Sequence, residues 1–368
     1  EEGGGGEEAT AYRRSCSRRL ATSELSSSAL ARRINAGGAQ VLIDIDGWAS
    51  GWSGPHHILV NRLRPSCLSV AMLGVVGSTG VGDAYDLILS DTIASPPEYE
   101  VWFAEKLLLL PRTYFISPPP PARSQQDRRR LKEMFEESIG ISSESLLLAA
   151  HHAEYKLSRD YLAVAANLLL LLPSSYLWLP PLSEIAARRV LLTLSALGVS
   201  NASSRVVKLP ASLDKRSYQA LRERADLLLD SIRYNGHSTT AEWLSAAVPV
   251  ATLPGELMVS RVSASLMAGE DERCFLVARD RDDLLLLALN VLRRRAQVRG
   301  GGDLSAERTS RGIFDLEEWG RDSWRGLRAS LEVKMMGAVS DAQGGRGARH
   351  VWVVRNVEER YDGDMRRK

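Results

Sequence analysis

The sequence predicts an α/β protein with two lobes, each built around a parallel sheet. Short apolar runs that end at an acidic residue, such as residues 225–229 before Asp230, are typical of buried parallel strands. Leucine- and alanine-rich segments between these runs predict many helices. The length of 368 residues predicts about two domains, and the four consecutive prolines at 118–121 indicate a linker between them.

The first lobe is expected to begin with a helix over residues 16–34 and a buried strand over residues 40–47. Asp44 and Asp46 would project to the same side of that strand. One interpretation is a metal-binding Asp-x-Asp pair, and the plainer one is a polar strand end. Residues 85–91 predict a further short strand of this lobe.

Three glycines within residues 74–80 allow close approach of the backbone and positive φ angles. Such a loop suits the lining of a ligand cleft, and it is equally typical of a flexible turn between a strand and a helix. Its hydroxyl-bearing residues are Ser78 and Thr79.

In the second lobe, residues 145–150 predict a strand that leads to two adjacent histidines, His151 and His152. Their side chains would point to opposite faces, so joint ligation of a metal is not expected. Further elements are predicted as helices over 163–172 and 182–197 and strands over 175–179 and 205–209.

The stretch from residue 230 to residue 261 predicts a strand end, a loop, a helix and a further strand over residues 248–253. Asn235 and Gly236 end the first strand, and a run of hydroxyl residues opens the helix. Glu242 stands three residues after Thr239, which is the spacing of a capping box. Such a helix start offers unpaired N–H groups and a positive dipole end to a phosphate or diphosphate. The alternative is a capped helix in an ordinary α/β domain.

Composition argues against several classes of protein. The formal charge of +2 and the pI of 8.5 give no support for nucleic-acid binding, and no apolar run reaches membrane-spanning length. The three cysteines are widely spaced, which suggests neither a disulfide framework nor a zinc site and favours a reducing compartment. The chain opens on an acidic, glycine-rich stretch without a secretory signal.

The sequence of residues 230–261 resembles that of one known family. Four segments carry the resemblance: Asn235-Gly236-His237-Ser238-Thr239, Pro249-Val250, Leu-Pro-Gly-Glu at residues 253–256, and Ser260-Arg261-Val262. They are similar to the donor-binding lobe of the O-linked N-acetylglucosamine transferase family. These are nucleocytoplasmic enzymes that move N-acetylglucosamine from UDP to Ser and Thr. The resemblance covers about residues 30–331.

The resemblance implies a GT-B fold of two Rossmann-like lobes, with the amino-terminal lobe incomplete. It implies inverting, metal-independent transfer from UDP-N-acetylglucosamine to Ser/Thr hydroxyls of acceptor proteins, in the cytoplasm or nucleus, with no cofactor, nucleic acid or membrane. The expected domains are a disordered start (1–14), a partial amino-terminal catalytic lobe (15–117), a proline-rich linker (118–140), a UDP-sugar-binding lobe (141–311), a helix packing back on the lobes (312–335) and a disordered tail (336–368).

The resemblance also assigns roles to residues. It implies Lys156 and His237 as catalytic residues, because a lysine at a strand end can neutralise a leaving diphosphate. A solvated surface lysine is the alternative. Three residues would line the cleft on the acceptor side: Gly77, Ser78 and Thr79. The donor would contact eight residues: Lys215, Tyr218, Asn235, Gly236, His237, Ser238, Thr239 and Glu242.

The chain departs from the family at Ala153, where the family has a glutamine that holds the donor, and at Tyr218, where it has a histidine. Glu242 replaces an aspartate that holds the ribose. Three alternatives therefore stay open. They are an O-fucosyl transferase relative that uses GDP-fucose, a silent nucleotide-binding fragment, and an unrelated dehydrogenase, which the absence of a Gly-x-Gly-x-x-Gly turn disfavours.

Overall fold

The structure is a computed structural model that describes residues 25–47, 56–117, 125–208, 221–268, 276–298, 313–341 and 352–354. Its strands form two five-stranded sheets, and every pair of neighbouring strands is parallel. The two predicted parallel sheets are therefore present.

The first sheet has the order β1-β2-β3-β4-β10. Its strands are β1 (Val41–Asp44), β2 (Leu68–Ala71), β3 (Leu87–Asp91), β4 (Lys106–Leu110) and β10 (Trp352–Val353). The central pair, β3 and β4, is in register along all five residues of each strand. Both strands are apolar runs with little alternation, as expected of strands covered on both faces.

The second sheet has the order β7-β6-β5-β8-β9. Its strands are β5 (Leu146–Ala149), β6 (Ser175–Leu179), β7 (Val206–Lys208), β8 (Leu227–Leu229) and β9 (Val250–Ala251). The predicted strand over residues 248–253 is thus shorter than expected: two residues pair with β8, and Thr252 forms a single further bridge to Val277. Because β5 and β8 are neighbours, the loops that follow them meet at one edge of the sheet.

Ten helices accompany these strands within the described residues. They are α1 (Ser27–Ala36), α2 (His56–Arg62), α3 (Gln125–Ile139), α4 (Arg159–Leu171), α5 (Glu184–Ala196), α6 (Ala202–Arg205), α7 (Ser238–Ser245), α8 (Val262–Met267), α9 (Arg281–Val298) and α10 (Leu316–Asp341). Serine hydroxyls cap three of them: Ser26, Ser158 and Ser183 each accept a hydrogen bond from the N–H three residues on. None of these helices combines the length and apolar character needed to span a bilayer.

Side chains of the second sheet alternate between two apolar clusters. Leu146 and Leu148 of β5 belong to a cluster with α4, α5 and α9, whereas Leu147 and Ala149 join a second cluster. That second cluster continues through Trp178 and Trp243 and also contains the core of the first sheet. The alternation follows from the two-residue repeat of a strand, and it places a shared apolar core between the two sheets.

The junction of the lobes is also polar. Asp91, at the end of β3, accepts hydrogen bonds from Tyr114 N (2.9 Å) and from Ser265 Oγ of α8 (2.5 Å). Arg261 Nε donates to the carbonyl of Ile93 (2.7 Å). Helix α10 packs on β4 of the first lobe, and its Lys334 pairs at 2.5 Å with Asp86, the residue before β3.

The structure describes parts of the expected linker and of the expected tail. The expected linker over 118–140 contains helix α3, because Phe135 is buried in the shared core and Glu136 pairs with the buried Arg224. The prolines at 118–121 lie outside the described residues. The expected tail from residue 336 instead continues α10 to Asp341 and contributes β10, which pairs with β4.

Candidate functional site

A polar site lies at the carboxyl edge of the second sheet, where the loops after β5 and β8 meet. The loop after β5 ends in a 3-10 turn, Glu154–Lys156. The loop after β8 runs from Asp230 to His237 and leads into α7. The outer edge of parallel strands is the usual position of ligands in open α/β sheets.

Asp230 organises the loop after β8. One of its carboxylate oxygens accepts hydrogen bonds from the N–H groups of Ser231 and Gly236, both at 2.8 Å. The other accepts from Thr252 Oγ1 at 2.7 Å. Because Asp230 is fully buried, these donors compensate the desolvation of its carboxylate and fix the loop.

Gly236 stands where the loop turns into α7. A Cβ atom at this position would lie 2.3 Å from Thr240 Oγ1. The carbonyl of Gly236 accepts a hydrogen bond from Ser263 Oγ (2.8 Å), which also pairs with Thr240 Oγ1 (2.8 Å). The glycine therefore permits a close contact between the loop, α7 and α8.

The amino end of α7 is open toward this loop. His237 occupies the N-cap, and its side chain makes no capping hydrogen bond. The predicted capping box of Thr239 and Glu242 is wrong, because the helix begins two residues too early for it. Glu242 instead pairs with Arg222 at 2.5 Å. Ser238 is exposed and Thr239 is partly exposed, so the first turn of α7 is accessible to a ligand.

Lys156 reaches this helix end. Its Nζ donates a hydrogen bond to the carbonyl of Asn235 (2.8 Å) and lies 3.7 Å from the centroid of the Tyr234 ring. Burial lowers the pKa of Lys156 to about 8. The structure thus places the Lys156 ammonium against Asn235, in the loop that leads into α7.

His237 lies beside the same site as a neutral imidazole. Burial lowers its pKa to about 4. Its Nε2 is 3.2 Å from the carbonyl of Val259, which can only accept a hydrogen bond, so Nε2 carries the proton. Nδ1 is then an acceptor, which suits contact with a hydroxyl group better than contact with a phosphate.

The two histidines after β5 do not line this site together. His151 packs edge-on against Trp178 and Trp243, with ring centroids 4.5 and 5.0 Å apart. His152 Nε2 bonds the carbonyl of Leu229 (2.8 Å) on the other side of the chain. The described residues contain no group of three His, Cys, Asp or Glu side chains that could hold a metal ion.

The first lobe uses its predicted polar residues to fix turns. Ser78 Oγ donates to Glu105 (2.9 Å), and Thr79 donates its N–H (3.0 Å) and its hydroxyl to the same carboxylate. Asp44 accepts from Tyr85 Oη (2.6 Å) and from the N–H groups that follow it. This arrangement favours a polar strand end over an Asp-x-Asp metal pair, because Asp44 is buried while the Asp46 side chain is half exposed.

The loop from Gly77 to Thr79 remains a predicted acceptor side, and Lys215 and Tyr218 lie outside the described residues. Sequence reasoning missed two contributors to the site, Tyr234 and Arg222. Tyr234 directly precedes the Asn-Gly turn, so its closeness in sequence to the predicted site residues could have indicated it. Nothing in the local pattern indicates that Arg222 meets Glu242.

Comparisons with known proteins find sequence relatives of this chain. The sequence model described as "Glycosyl transferase family 41" matches residues 8–120 and 125–320. The chain is 26% identical over 304 residues to the "Probable UDP-N-acetylglucosamine--peptide N-acetylglucosaminyltransferase SEC" of Arabidopsis thaliana, which is 82% of this chain and 30% of that protein. It is 26% identical over 232 residues to the corresponding SPINDLY protein of the same plant, covering 62% of this chain and 24% of that protein.

A solved structure supports the fold. A mutant of the O-GlcNAc transferase of Thermobaculum terrenum superposes with a TM-score of 0.68 at 23% identity, over 88% of this chain and 60% of that one. The predicted two-lobed α/β fold of the GT-B type is thereby confirmed. The chain spans between 24% and 30% of the length of these two curated relatives.

Proposed function

Because this chain belongs to glycosyl transferase family 41, we propose that it forms the donor-binding part of an enzyme that transfers N-acetylglucosamine from UDP-N-acetylglucosamine to Ser or Thr hydroxyls of proteins. One observation carries the proposal. The Lys156 ammonium bonds the carbonyl of Asn235, two residues before the amino end of α7. A cation and a helix start are thereby held at one place.

The proposed reaction forms a bond between the acceptor oxygen and the anomeric carbon and breaks the bond from that carbon to UDP, with inversion. The acceptor hydroxyl gives its proton to solvent, and the electron pair of the broken bond leaves with the diphosphate, on which negative charge accumulates. Lys156 and the first N–H groups of α7 stabilise that charge, which lowers the barrier if it is larger in the transition state than in the bound donor.

The remaining donor contacts are also part of the proposal. Neutral His237 would accept a hydrogen bond from a donor hydroxyl through Nδ1, and the hydroxyls of Ser238 and Thr239 would donate to phosphate oxygens. Glu242 would reach the ribose at the outer side of α7, and Lys215 and Tyr218 would contact the nucleoside. The loop from Gly77 to Thr79 would face the acceptor.

The direct test is transfer of labelled N-acetylglucosamine from UDP-N-acetylglucosamine to a Ser/Thr peptide. Binding of UDP is measured by calorimetry on the same sample. We expect wild type to bind UDP and Lys156→Ala to abolish transfer. Unchanged transfer by Lys156→Ala would remove this lysine from the mechanism. Arg129→Ala, which breaks an exposed ion pair on α3, is a matched control for loss of a positive charge.

Two outcomes of the same experiment would replace the proposal. Stronger binding of GDP than of UDP would favour a relative that transfers fucose from GDP-fucose. Binding of UDP without detectable transfer would indicate a nucleotide-binding module, an outcome to which Ala153 contributes because a methyl group cannot hold the donor through hydrogen bonds.

A further inference from the structure

The Lys156 ammonium is held by neutral groups. Among the described residues its contacts are the carbonyl of Asn235 and the face of the Tyr234 ring, and it pairs with no carboxylate. The nearby Asp230 carboxylate is occupied by two backbone N–H groups and a threonine hydroxyl. The lysine is therefore fixed in place while its full charge stays available to an anion.

Tyr234 is itself well fixed. Its carbonyl accepts a hydrogen bond from Ser231 Oγ. Its ring lies against the imidazole of His237, with centroids 5.1 Å apart and planes tilted by 34°. On the outer side the edge of Tyr155 approaches it at 5.9 Å. The ring of Tyr234 thus lies in contact with both predicted catalytic residues, Lys156 and His237.

We propose that Tyr234 is a positioning residue for the proposed transfer, and that the face of its ring holds the Lys156 ammonium toward the diphosphate before the donor arrives. A lysine side chain has four rotatable carbons, and ordering it on binding costs conformational entropy. An aromatic face attracts an ammonium without neutralising it, unlike a carboxylate. Preorganisation of this kind increases affinity for the anion without any new contact to it.

This inference rests on the proposed function, and UDP binding to the full chain tests the two separately. Tyr234→Phe keeps the ring, and Tyr234→Leu removes the aromatic face. The other two variants are Lys156→Met and the double variant that combines Lys156→Met with Tyr234→Leu. Each is measured by calorimetry at neutral pH, and its thermal unfolding is recorded to show that it folds. Tyr155→Leu serves as a control, since Tyr155 is an exposed neighbour of the ring.

We expect Tyr234→Phe and Tyr155→Leu to bind UDP within about twofold of wild type, and Tyr234→Leu to bind about tenfold more weakly. In the Lys156→Met background, Tyr234→Leu should have no further effect, because the ring then has no cation to hold. A residue that merely fills space would weaken binding equally in both backgrounds.

The outcomes separate the two ideas. Two results would show that Tyr234 does not position the lysine while the proposed function stands. One is that wild type and Tyr234→Leu bind UDP equally well. The other is that Tyr234→Leu reduces the affinity for UDP as much in the Lys156→Met background as in the wild-type background. If wild type does not bind UDP, the proposed function and this inference are both overturned.

Discussion

Asp91 Oδ2 accepts a 2.5 Å hydrogen bond from Ser265 Oγ, which joins the carboxyl end of β3 in the first lobe to α8 in the second. The same oxygen accepts from Tyr114 N (2.9 Å), and Oδ1 accepts from the N–H groups of Ile93 and Ala94. Burial raises the pKa of Asp91, and these four donors offset part of the cost of its charge. The carboxylate is thus a fixed link between the lobes.

Asp91→Asn should therefore destabilise the protein by about 3 kcal/mol, because an amide NH₂ would face donors where an acceptor is needed. Urea unfolding measured by circular dichroism gives the change. The control is Asp83→Asn, whose carboxylate is exposed and pairs with Arg62 at the surface, and it should change stability by less than about 1 kcal/mol. Equal effects of the two substitutions would contradict the role of Asp91.

The affinity for UDP should depend on the protonation of Lys156. Its pKa lies at about 8, so the amine carries its charge below that pH and loses it above. If the ammonium contacts the diphosphate, the affinity falls as pH rises through 8, by roughly tenfold at one unit above the pKa. Calorimetry with UDP from about pH 7 to about pH 9 measures this dependence.

Lys156→Met is the control for that experiment. It should bind UDP weakly and should lack the fall in affinity near pH 8. A wild-type profile that is flat across this range would show that the amine does not contact the diphosphate.

The sequence predicts the fold class well because buried parallel strands leave a direct signal. Strands such as Leu227–Leu229 and Leu146–Ala149 are uninterrupted apolar runs, and the polar loop after each run lies at the same sheet edge. The meeting of Lys156 with the loop before α7 follows from that topology. Lys156 itself is singled out only by the resemblance to the family, because a solvated surface position is the default interpretation of a lysine.

Other parts depend on tertiary contacts that no local pattern encodes. Strand β10 has only two paired residues, and helix α3 is largely polar, although it buries the side chain of Phe135. The prediction of a capping box was wrong because the spacing of Thr239 and Glu242 cannot show where the helix begins. The contact of the Tyr234 ring with Lys156 joins residues 78 positions apart, and only the folded chain brings them together.

Gly236 provides the last prediction. A methyl group at this position would lie 2.3 Å from Thr240 Oγ1 and 3.2 Å from Thr240 N, and the threonine hydroxyl is held by Ser263. Either the loop or the start of α7 must then move, so Gly236→Ala should cost about 1–3 kcal/mol of stability and weaken UDP binding.

Gly320→Ala is the matched control, because a Cβ there meets nothing within 4 Å and the residue lies inside α10. It should stabilise the protein by up to about 1 kcal/mol and leave UDP affinity unchanged. Thermal unfolding with and without UDP distinguishes the two variants, and wild-type behaviour of Gly236→Ala in both measurements would show that the loop tolerates the methyl group.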